Sequence, residues 1–176
     1  MLHFSKALFI EQVKNGLKNR VQITNDYEFT NLGVQKKYNL TYMLERKDIV
    51  YPDLSYKIIG CSFDVFNSIG GGHKEIVYQK AMSIALKETG LNYTEQLYYP
   101  VKYNNIVIGK NFFDFCVEEK IVVELKSAGR FTKSNYDQVL NYLTVSNLKL
   151  ALLISFGNED VRCKRVINFK TINADS

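Results

Sequence analysis

The stretch Lys120–Gly129, KIVVELKSAG, decides how this chain is read. Ile121, Val122, Val123 and Leu125 ask for burial in a strand, yet Glu124 and Lys126 lie two residues apart inside it. Strand side chains alternate between faces, so these two point the same way. A buried charge is costly unless it is paired or bound to a metal. A carboxylate and an amine aimed at one patch of an apolar strand therefore need a partner.

The preceding segment supplies one. IVIGKNFFDFCV, 106–117, is a second apolar strand interrupted by Asp114, and only Glu118-Glu119-Lys120 separates it from the first. A three-residue hairpin loop pairs Val117 with Ile121 and puts Asp114 opposite Glu124, about 5 Å apart at Cβ. A loop one residue shorter or longer would put Asp114 opposite Leu125 and scatter the charges. With the three-residue loop, Asp114, Glu124 and Lys126 converge. Two carboxylates make a hard-oxygen site for a divalent ion, and magnesium suits such a site. Zinc does not, because the pattern holds no His or Cys. The alternative is a solvent-facing acidic pair with Lys126 as a simple salt-bridge partner, which the aromatic and β-branched flanks disfavour.

Further outward, TEQLYYPVKY (94–103) reads as a strand joined to 106–117 by the Asn104–Asn105 turn signal. Before it, Leu54, Ile58, Cys61, Val65 and Ile69 line one side of a helix that follows Pro52, with Gly60 inside it costing about 1 kcal/mol relative to Ala. The glycines at 70–72 end that helix, and a second one carries Val77, Ala81, Ile84 and Ala85 on one side before closing at Gly90. After KIVVELK comes a helix over 132–147, with Thr132 as its cap and Val139, Leu140 and Leu143 apolar. LKLALLISFG is a strand, and VRCKRVINF reads as a last, exposed one. The order implies an α/β layer with a mixed sheet, in which the crossover after Lys126 returns a parallel strand. Residues 1–53 form a separate accessory segment, with a helix expected in FSKALFIEQVKNGLK; residues 54–170 form the main domain.

Composition bounds the function. The 176 residues are 46% hydrophobic, enough for one domain with a real core. No apolar run approaches a membrane span, and MLHFSKALFIEQVKNG lacks the pattern of an export signal, so a cytoplasmic location is expected. Cys61, Cys116 and Cys163 are scattered and odd in number, which points to reduced thiols. The net charge of +5 and a pI near 9.0 permit a nucleic-acid partner without establishing one. His3 and His73 pair with no nucleophile, and GGGH is not followed by the GKS or GKT of a phosphate loop.

Asp114, a ten-residue step and Glu124-Leu125-Lys126 resemble the signature of the PD-(D/E)XK nucleases. GHKEIVY, 72–78, resembles the motif of the GxxExxY family within that superfamily, and Gln138 and Tyr142 of QVLNY resemble its QxxxY element. The resemblance runs from Leu54 to Asn168. It implies a restriction-endonuclease-like core of αβββαβ order, here with an N-terminal extension, and a Mg²⁺- or Mn²⁺-dependent hydrolase cutting phosphodiester bonds, with DNA the expected partner. It further implies that Asp114, Glu124, the Leu125 carbonyl and Glu75 hold the metal. Lys126 would act with Glu75, Asp114 and Glu124 in catalysis, and Gln138, Tyr142 and Tyr78 would contact substrate. Plainer readings stand beside these: Glu75 as a first-turn acid favoured by the helix dipole, Tyr142 and Tyr78 as core aromatics, Gln138 as a surface amide. The rival function is a nuclease-fold module without turnover that binds nucleic acid or a protein. Residues 1–53 are the candidate surface for a homodimer or protein partner.

Overall fold

The computed structural model describes residues 22–24, 50–127 and 130–168. Most of the segment 1–53, including the helix expected there, lies outside the described residues. Six strands form one sheet: β1 (Gln22–Thr24), β2 (Tyr93–Tyr103), β3 (Ile106–Val117), β4 (Ile121–Lys126), β5 (Leu150–Phe156) and β6 (Val161–Ile167). Three helices pack on it: α1 (Pro52–Ile69), α2 (Glu75–Glu88) and α3 (Lys133–Ser146). The strand order is β1-β6-β5-β4-β3-β2. Only β4 and β5 run parallel, joined by the α3 crossover, and the other neighbours are antiparallel. This is the mixed α/β sheet flanked by helices that the sequence implies.

Local chemistry sets the boundaries. Pro52 occupies the first turn of α1, where its missing N–H costs nothing. Gly70, at φ 75°, ends that helix. Gly71 packs so closely on the β5–β6 loop that a Cβ there would lie 2.2 Å from the Asn158 carbonyl oxygen. Asn104 and Asn105 both have positive φ, the geometry that lets a two-residue turn follow the twist of its strands. Thr132 caps α3 in a capping box with Asn135.

The sheet buries both faces. On one, α1 and α2 cover Phe115, Val117, Ile121, Val123 and Leu125 with the matching residues of β5. On the other, α3 covers Phe113, Val122, Ala151, Leu153 and Val166. In α1, Ile58, Cys61 and Val65 are buried as expected, joined by Ile59, Phe63 and Phe66, while Ile69 is exposed. Two expectations are corrected. The face of α2 that meets the sheet is Tyr78, Met82 and Leu86, while Val77 and Ile84 are exposed. The larger i, i+4 side chains win the sheet because they remove more apolar surface from water. And β6 is an interior strand: β1 covers its outer edge, and Val161, Cys163, Val166 and Ile167 are buried. All three cysteines are free and buried. No helix among the described residues is long and apolar enough to cross a membrane.

One irregularity positions everything that follows. Phe115 packs under α1 and α2, but Phe113, two residues away, packs under α3. Tyr93 and Leu97 divide in the same way along β2. Both strands therefore exchange faces at the facing positions Asp114 and Gln96, which lie between the paired Glu95↔Phe115 and Leu97↔Phe113. Gln96 takes φ 48°, a left-handed conformation rare for a residue other than glycine.

Candidate active site

The three-residue loop sets the hairpin register as expected: Val117 pairs with Ile121 and Phe115 with Val123. The ladder stops there, one step short of Asp114 and Glu124. Asp114 Oδ2 instead accepts the Leu125 N–H at 2.8 Å, so its carboxylate stands in for a strand carbonyl. Its other oxygen lies 3.4 Å from the side-chain amides of both Gln79, on α2, and Gln96.

Glu124 is 4% exposed. Lys126 Nζ donates to its Oε1 at 2.7 Å and lies 4.0 Å from Glu75 Oε1. The lysine therefore sits between a buried glutamate on its own strand and a half-exposed one in the first turn of α2. Three carboxylates share one ammonium. Burial above all, then the Asp114 charge, pushes Glu124 up to about 7 despite Lys126. Burial likewise raises Asp114, against the Leu125 N–H and Lys126, and raises Glu75, against Lys126. Burial works to lower Lys126, but the hydrogen bond and charge of Glu124 outweigh it, and its pKa is raised. One cation stays firmly protonated and cannot compensate the acids around it. The cluster is short of positive charge.

Glu124 Oε2 is buried without a hydrogen-bond partner. An orphaned carboxylate oxygen in a cation-poor pocket fits a hard divalent ion, which prefers oxygen ligands. Among the described residues, no three His, Cys, Asp or Glu side chains come together as a ready-made cage. Glu75 joins the group through Lys126 rather than by meeting Asp114 and Glu124 directly.

The remaining residues separate. Tyr142 is 2% exposed; it donates to the Phe112 carbonyl and accepts from Gln138 Nε2, both at 2.8 Å. Burial raises its pKa against the Gln138 hydrogen bond, and the charges of Glu124 and Asp114 add to the rise. It anchors β3 two residues before Asp114. Tyr78 does not make the expected substrate contact. It is fully buried and stacked on Phe156 at 4.1 Å, and its hydroxyl ties the turn at Gly70 and His73. Its position on the α2 face that meets the sheet takes it into the core.

Two residues, Gln79 and Gln96, were not foreseen. Gln79 lies one turn beyond Glu75, a spacing that puts both on one face of α2. Gln96 could have been found by carrying the register across β2. Ser155 pairs with Lys126 across the parallel ladder, and its buried hydroxyl has no hydrogen-bond partner.

Residues 52–166 match the family model of the PD-(D/E)XK nuclease superfamily, and the chain belongs to that superfamily. No curated protein matches its sequence. Among solved structures it is similar to SSO0001, with 11% identity and a TM-score of 0.43 over 79% of this chain and 80% of that one. It is also similar to an alkaline exonuclease from Laribacter hongkongensis, with 12% identity and a TM-score of 0.42 over 76% and 77% of the two chains.

Proposed function

We propose that the chain is a metal-dependent nuclease of the GxxExxY branch that hydrolyses phosphodiester bonds in DNA. The observation that carries this reading is the Lys126 ammonium lodged against Glu124, beside Asp114 and within reach of Glu75, in a pocket short of positive charge. Asp114 and Glu124 would hold a divalent ion, Mg²⁺ or Mn²⁺, with the Leu125 carbonyl and Glu75 as further oxygen donors. When bound, such an ion supplies Lewis-acid polarisation of the phosphodiester and a more acidic water.

The chain's own residues do the rest. Asp114 is held by the Leu125 N–H, so one oxygen is fixed and the other faces Gln79 and Gln96. Lys126 orients the attacking water or stabilises charge developing on the phosphate oxygens. Glu75 keeps Lys126 placed from the opposite side. Tyr142, with Gln138 behind it, holds the Phe112 carbonyl and with it the approach of β3 to the site.

The test is cleavage of plasmid and single-stranded DNA with Mg²⁺ or Mn²⁺, with Lys126→Ala as the control. Cleavage by the wild type and none by the variant supports the reading. No cleavage by either, with nucleic-acid binding intact, replaces it with a binding module of nuclease fold.

A further inference from the structure

The same sheet face continues outward from Asp114. Phe113 turns toward α3, so its neighbour Phe112 points the other way, toward the side from which Gln79 of α2 meets Asp114. Along β3, Asp114, Phe112 and Lys110 then follow at two-residue steps of about 7 Å, with Phe112 and Lys110 on one face. Opposite them on β2 stand Gln96, Tyr98 and Pro100. Tyr98 and Phe112 form a ring pair with centroids 5.6 Å apart, and each remains 45% exposed. Two large rings left that open beside a cluster of carboxylates are not core residues.

The charge around them is one-sided. From Leu97 to Phe113 the arm carries Lys102 and Lys110 and no acidic residue. The pair is also rigidly held, because Tyr142 clamps the Phe112 carbonyl from the other face. A carboxylate site, an aromatic pair and an exposed amine therefore follow one another at even steps. That sequence matches a phosphate at the site, a base beside it and a phosphate further along the same strand.

We propose that Tyr98 and Phe112 form a base-stacking platform for an unpaired nucleotide flanking the bond to be cut, with Lys110 contacting a phosphate further along the strand. This rests on the nuclease reading for what happens at Asp114. It adds that the preferred substrate is a single strand or a frayed end, since bases inside a duplex already stack on one another and offer no free face. Aromatic platforms tolerate any base, because each has a π-face.

The experiment is binding, read by fluorescence anisotropy in EDTA and again in Ca²⁺, so that it does not depend on cleavage. The probes are a labelled oligodeoxyadenylate of about twelve nucleotides, the same length as blunt duplex, and an abasic oligomer with the same backbone. Tyr98→Ala and Phe112→Ala should each weaken single-strand binding by about fivefold or more. Duplex binding should be almost unchanged. Tyr98→Phe and Phe112→Tyr keep the rings and should keep the affinity, which separates stacking from misfolding. The abasic oligomer should bind the wild type about as weakly as the intact one binds Tyr98→Ala. Equal losses on single strand and duplex, or tight abasic binding, overturn the proposal. So does a dimer, seen by sedimentation, that the double alanine variant dissolves while oligonucleotide affinity stays the same. If the wild type cleaves nothing, the nuclease reading falls, and the binding comparison still decides the platform. If cleavage is sound and the alanine variants bind single strands normally, only the platform falls.

Discussion

The β2–β3 hairpin contains two regions that obey different rules. Below Asp114, Phe115 and Val117 are fully buried and paired with β4. Above it, Phe112, Ile108, Val107 and Ile106 are equally apolar and exposed. One strand, with one composition, is core at one end and surface at the other. The difference teaches that hydrophobicity alone does not assign burial; the reach of the neighbouring strand does, because β4 pairs β3 only from Phe115 to Val117 and the arm beyond pairs with β2. The candidate site sits at that joint, where the strand leaves the core and a carboxylate can be half-buried and still reachable.

The comparison is sharpest in paired substitutions. Phe115→Ala should destabilise the fold by about 3–5 kcal/mol, the cost of emptying a buried aromatic position. Phe112→Ala, three residues away, should cost well under about 1 kcal/mol, as surface changes do. Denaturant melts of the two variants measure this. Similar losses would mean that the arm is packed after all.

Next in size is the pH dependence of the metal-free protein. Glu124 has an ordinary pKa of 4.5 and is raised to about 7 in the fold. The folded state therefore holds the proton more tightly. Its contribution is fully present below pH 4.5 and lost as pH rises through about 7. The total is about 3 kcal/mol at 1.36 kcal/mol per unit. Glu124→Gln should flatten the decline between pH 5 and 8 in thermal melts, and Mg²⁺ should stabilise the wild type but not this variant. A decline of unchanged steepness in Glu124→Gln would refute the assignment.

Lys126→Ala should slow cleavage by about a hundredfold or more, as loss of a group that stabilises developing charge does. DNA affinity should barely change. A loss of cleavage only in proportion to lost binding would make Lys126 a phosphate clamp.

The smallest effect concerns the joint itself. Gln96→Gly relieves a left-handed backbone worth about 1 kcal/mol and removes the amide facing Asp114. Stability should rise slightly while cleavage falls. A fall in both would mean that the Gln96 side chain, not its backbone, holds the strands in place.

The elements at issue here were legible because their signals are local. Asn104–Asn105, the three-residue loop at 118–120 and the Thr132 cap each act within a few residues, and the register they impose brings Asp114, Glu124 and Lys126 to one place. What was not legible depends on neighbours. The choice between the two apolar stripes of α2 is made by the sheet, so Val77 and Ile84 were expected inward where Tyr78, Met82 and Leu86 are, while the plainer reading of Tyr78 as a core aromatic holds. The burial of β6 depends on β1, far away in sequence. The face exchange at Gln96 has no sequence mark at all, since Gln is not a residue that favours positive φ.

The bond from the Leu125 N–H to Asp114 bears on how such a protein ages once selection on activity lapses. Asp114 is then still required, because losing it leaves a buried strand donor bare. Glu124 is the opposite: with Lys126 as its one cation it is a buried acid that weakens the fold as pH rises, and drift should discard it early. In any lineage descended from this chain, a surviving aspartate at this position records only architecture. A surviving glutamate two residues before the lysine is the mark of an enzyme still in use.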